Sequence, residues 1–142
     1  MTPYATKYVS REEITLFEKI RYSTIRLPDI DLGLDEKGKE VIFSCHMLAR
    51  AVAKVFGLKY VDGYYTPNFE HSWILTPEKH LIDVYPIAVI GGPILMVSEK
   101  FNSPARWHYK KMSTRKISYG RFSKPSFRRS VRRIEKAIRN IL

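Results

Sequence analysis

The chain has 142 residues, enough for one domain with its own core, and its 44% apolar and 13% aromatic content excludes disorder throughout. A single cysteine excludes an intramolecular disulfide and suits a reducing compartment. The net charge of +11 is unevenly placed: residues 1–100 hold 12 Lys/Arg against 13 Asp/Glu, whereas residues 101–142 hold 13 Lys/Arg and one acid, Glu135.

That asymmetry divides a single domain, 1–142, into a near-neutral body, 1–100, and a basic region, 101–142, expected to meet something acidic. The longest apolar stretch, residues 87–97, is interrupted by Gly91, Gly92 and Pro93. It is far shorter than the roughly 20 residues of a membrane span. Residues 1–13 lack the apolar core of a secretory signal. The expectation is a soluble, cytoplasmic protein with no transmembrane segment.

In chain order, Ser10-Arg11-Glu12-Glu13 has the form of a capping box, and Ile14, Phe17 and Ile20 follow at helical spacing, predicting a helix over about 11–23. Residues 27–39 read as a loop. Ser44 is a good N-cap, which sets Cys45 in the first turn of a helix. Its apolar stripe is Leu48, Ala49, Val52, Val55 and Phe56, with Gly57 as its stop. Strand patterns follow at 58–65, with Gly63 as a bulge, at 69–75 and at 81–85. A turn at 76–79 joins the last two. Residues 87–90 and 94–97 flank Gly91-Gly92 as a further hairpin or a tight corner. Residues 106–121 mix aromatics and cations without a period. Pro125-Ser126 opens a final helix whose stripe is Phe127, Val131, Ile134, Ile138 and Ile141.

A thiol acts as a nucleophile only as thiolate, and a helix N-terminus favours that form. The thiolate needs a base, usually His, and the base needs an orienting acceptor. A hairpin centred on Pro77 sets His71 directly opposite Asp83 on one face, so Asp83 is expected to accept Nδ1–H and leave Nε2 toward Cys45. Asp inside the apolar run Leu81-Ile82-Asp83-Val84-Tyr85 also needs a buried partner. His46 projects about 100° from Cys45 on the helix and His80 has the wrong strand parity, so both are weaker bases than His71. Trp73 shares the face of His71, either as a wall of the site that touches substrate or as a core aromatic. Grouped metal ligands such as CxxC or HxxxH are absent from the sequence, and neither metal nor cofactor is expected.

These residues resemble the transglutaminase-like branch of the papain-like thiol fold over about 44–86: Ser44-Cys45, then Val55-Phe56-Gly57-Leu58 into Val61-Asp62-Gly63-Tyr64-Tyr65, then His71-Ser72-Trp73, then Leu81-Ile82-Asp83-Val84-Tyr85-Pro86. The resemblance implies an α+β fold, a Cys-bearing helix packed on a small antiparallel sheet, here with N-terminal and basic C-terminal helices added. It implies a Cys45 nucleophile, a His71 base and an Asp83 orienter acting on a peptide, protein or other amide through a thioester. His46 departs from the aromatic residue that many relatives carry after the nucleophile. The Cys45 backbone N–H is the candidate oxyanion donor.

The Arg-rich face of the last helix, with Arg128, Arg129, Arg132 and Arg133, is either a surface for an acidic protein, nucleic acid or anionic lipid or a solvated face on a docked helix. Two functions therefore stand at this point: a thiol enzyme of the hydrolase or acyltransferase type, and an inactive fold of that kind that binds through its basic region.

Overall fold

The computed structural model describes residues 7–27, 32–34, 40–42, 45–67, 69–85, 92–112 and 123–142. Among these the fold is α+β: three helices and a five-stranded antiparallel sheet, with a separate two-stranded ribbon.

Helix α1 spans Arg11–Thr24. Ser10 caps it, its hydroxyl accepting the Glu13 N–H, but the reciprocal half of the capping box does not form. The Glu13 carboxylate instead accepts the Glu78 N–H at 2.9 Å, and so ties α1 to a distant turn. The expected loop over 27–39 contains strand β1, Leu32–Leu34, paired with β2, Glu40–Ile42. The Leu-Gly-Leu alternation finds a partner strand that a local reading cannot supply.

Helix α2 spans Cys45–Phe56; the expected N-cap, Ser44, lies outside the described residues. Gly57, at φ +68, ends it, and the Leu58 N–H donates to the Ala53 carbonyl across the reversal. Strands β3 (Lys59–Tyr65), β4 (Phe69–Leu75), β5 (Leu81–Asp83), β6 (Ile94–Met96) and β7 (Tyr109–Lys111) lie in the order β6-β5-β4-β3-β7. Residues 86–91, which hold the expected strand at 87–90, lie outside the described residues.

Gly63 is not a bulge: β3 and β4 pair in unbroken register from Lys59↔Leu75 to Tyr65↔Phe69. It is needed for space. A Cβ there would sit 2.4 Å from Trp73 Cη2 and 2.2 Å from the Lys110 carbonyl oxygen.

Helix α3 spans Lys124–Ile141 and is capped by Ser123, with Pro125 in its first turn. Its Phe127, Ile134 and Ile138 are buried against α2, the latter two with no exposure. Each contributes about 2 kcal/mol gross by area, so the basic helix is docked. Val131 and Ile141, at the edges of the stripe, are half-buried. The main core lies between α2, α3, α1 and the sheet face that carries Ile74, Ile82 and Val84. The opposite face carries Trp73, Leu81 and Tyr109.

Candidate active site

The N-terminus of α2 meets β4 with successive residues. His46 reaches Ser72, and the Cys45 thiol lies close enough to the His71 ring to hydrogen bond with it. Cys45 is a free, half-buried thiol on the first residue of the helix. His71 is 1% exposed, and its Nε2 lies 2.8 Å from Asp83 Oδ2.

The three residues therefore converge, but not by the expected register. Ile74 pairs with Ile82 and Leu75 with Leu81, so the hairpin centres on Glu78 rather than Pro77. The turn has three residues, 77–79. Thr76 and His80 bond across its base, and Lys79 takes φ +67 without being glycine. The same register carried one step further sets Asp83 level with Trp73, diagonal to His71 rather than opposite it. The displacement is two residues, one full side-chain period, so both groups keep their common face. The added reach also reverses the ring. Its outer nitrogen, Nε2, bonds Asp83, which leaves Nδ1 rather than Nε2 for the thiol.

A carboxylate only accepts, so Nε2 carries a proton. Asp83 has no solvent exposure and accepts three bonds: from His71 Nε2, from Tyr109 Oη at 2.7 Å, and from the Tyr85 backbone N–H at 3.2 Å. Sequence reasoning missed Tyr109. It lies on a three-residue strand in an aperiodic basic stretch, and the one available signal was the need of a buried carboxylate for further donors. Burial, then the charge of Asp83 and the bond to it, push the Tyr109 phenol well above its ordinary pKa, so it stays a neutral donor.

Burial alone lowers the pKa of His71. The hydrogen bonds to Asp83 and Cys45, with the negative charge of both, more than offset this and raise it to about 9. The imidazole sits among the rings of Tyr65, Trp73 and Tyr109, with centroids 6.2 to 6.4 Å away. Trp73 is 2% exposed and stands edge-on to Tyr109. It backs the histidine, and the space beside Gly63 takes in its indole.

A second network adjoins the first. Asp62 binds Arg50 through both oxygens, at 2.7 and 3.0 Å, and accepts from Ser72 Oγ at 2.6 Å; Ser72 in turn accepts from His46 Nδ1. Burial lowers the pKa of His46, only partly opposed by Asp62, and its Nδ1 is committed to Ser72.

His80 is buried on another part of β4–β5. Its ligating nitrogen lies within 4.8 Å of oxygens of Glu13 and Glu78. Its Nδ1 accepts the Ser98 N–H at 2.9 Å, so the neutral ring carries its proton on Nε2, toward Glu78. That nitrogen faces Glu78 at 3.4 Å, and the cluster clamps α1 to the turn. Arg128, Arg129, Arg132 and Arg133 are all exposed on α3.

Comparison of the chain with protein-family models, curated proteins and solved structures yields no match. The functional reading rests on the residues and their arrangement.

Proposed function

We propose that the protein is a thiol-dependent hydrolase or acyltransferase of transglutaminase-like type, with a papain-like core, acting on an amide or ester. The observation that carries this reading is a buried imidazole held by a fully buried carboxylate through Nε2, with the free thiol at the start of α2 within hydrogen-bonding reach of the ring.

His71 holds protons on both nitrogens, paired with the Cys45 thiolate. The thiolate attacks the substrate carbonyl carbon and a C–S bond forms. The carbonyl oxygen becomes an oxyanion beside the Cys45 backbone N–H, which α2 leaves free at its first turn. The intermediate collapses, the bond to the leaving amine or alcohol breaks, and Nδ1–H supplies the proton that group needs. Water or an amine then gives a proton back to Nδ1 and attacks the thioester, and thiolate is released. Asp83 keeps Nε2–H in place throughout, and Tyr109 holds Asp83.

The test is alkylation by iodoacetamide near neutral pH. Cys45 should react much faster than free cysteine, and His71→Ala should slow it toward the free rate. A Cys45 that reacts only after denaturation overturns the proposal.

A further inference from the structure

Beyond the site, a groove of about 440 Å³ is lined by α2, α3 and Tyr60 of β3. Its apolar lining is Leu58 and Val131, half-buried, with Ala53 and Phe127 almost fully buried beside them. Its rim is cationic. Lys54, Arg128 and Arg132 are exposed, and none pairs with a carboxylate among the described residues. Arg50 also lines it, but its charge is committed to Asp62 and its guanidinium lies 4.3 Å over the Tyr60 ring. Residues 128, 131, 132 and 135 recur at helical spacing, so one stripe of α3 faces the groove. Arg133, Lys136 and Arg139 do not line it.

We propose that this groove binds an acidic segment of a partner protein, its carboxylates on the Lys54, Arg128 and Arg132 rim and its large apolar side chains on the apolar lining. The pattern favours this over nucleic acid. Polynucleotide binding wants a continuous basic track with open aromatic faces for stacking. Here the cations ring an apolar lining, Glu135 stands among them, and Arg50 covers a face of Tyr60. The groove is independent of the thiol chemistry. It begins at Arg50, five residues along α2 from Cys45, or roughly 7 Å at the helical rise.

The test uses the whole protein and a fluorescein-labelled peptide alternating Glu with Leu or Phe, read by anisotropy at about 0.15 M salt. The combined K54E, R128E and R132E substitutions should weaken binding about tenfold or more. The matched control R133E, K136E and R139E, equal in charge change and confined to α3, should cost less than about threefold. Thermal melting checks that both variants are folded. Replacing Leu and Phe in the peptide with Ser should abolish saturable binding. Equal losses in the two variants, equal affinity for the Ser peptide, tighter binding of a single-stranded oligonucleotide of the same charge, or no saturable binding of the peptide would each overturn the proposal.

Discussion

Asp83→Asn tests whether His71 owes its charge to its buried neighbour. The new side chain has nearly the same volume but no charge. Its single carbonyl oxygen can face His71 and Tyr109, in which case its amide faces the Tyr85 N–H, donor against donor; flipped, it loses the other two bonds. Burial is the largest single influence on the ring and it acts downward. With the Asp83 charge and hydrogen bond removed, the pKa of His71 should drop from about 9 to below about 7, which corresponds to roughly 3 kcal/mol of lost pairing. The midpoint can be read directly by NMR titration of the ring carbons. In parallel, alkylation of Cys45 at neutral pH should slow by at least about tenfold as the imidazolium partner is lost. A ring that still titrates near 9 in the variant, or an unchanged alkylation rate, refutes the account of the site given above.

Tyr109→Phe removes one donor from a fully buried carboxylate and should cost about 1.5–3 kcal/mol in urea unfolding; a loss below the error of the fit would mean the bond contributes nothing. Gly63→Ala forces a methyl against Trp73 and the Lys110 carbonyl, and a loss of about 1–3 kcal/mol or more is expected, seen as a lower melting temperature. The pH dependence of stability has a definite sign. The pKa of His71 is raised in the folded state, so its contribution is complete below its ordinary 6.5 and is lost as pH rises through about 9. Urea midpoints should fall across that window and the slope should flatten in His71→Gln; a flat profile in the unaltered protein contradicts the raised value.

Much of this was readable in the chain because period survives where register does not. The 3.6-residue stripes of α2 and α3 and the Gly57 stop are local signals, and they locate both helices to within a residue or two at the described ends. His71 and Asp83 share a face under any even displacement of the hairpin, so their meeting was legible. The ring nitrogen that makes the bond was not, because it depends on whether the turn holds three residues, and Lys79 adopts its left-handed backbone without a glycine to announce it. Tyr109 was hidden for a different reason. A strand as short as Tyr-Lys-Lys has no period to detect, and only its pairing with β3 gives it a structure. Gly63 was read through its backbone freedom, whereas its role is to leave room for an indole from the neighbouring strand.

Helix α2 packs on the sheet with one side and on α3 with another, and Ala49, Ala51, Val52 and Ala53 are buried along its middle. An element enclosed in this way opens only when the domain opens, so its amides should exchange with solvent at close to the free energy of global unfolding. The thiol proposed as nucleophile stands on the first residue of this enclosed helix. On the proposed function, adjustment to substrates of different shape falls to residues outside this helix, and the thiol is the fixed point to which those substrates are brought.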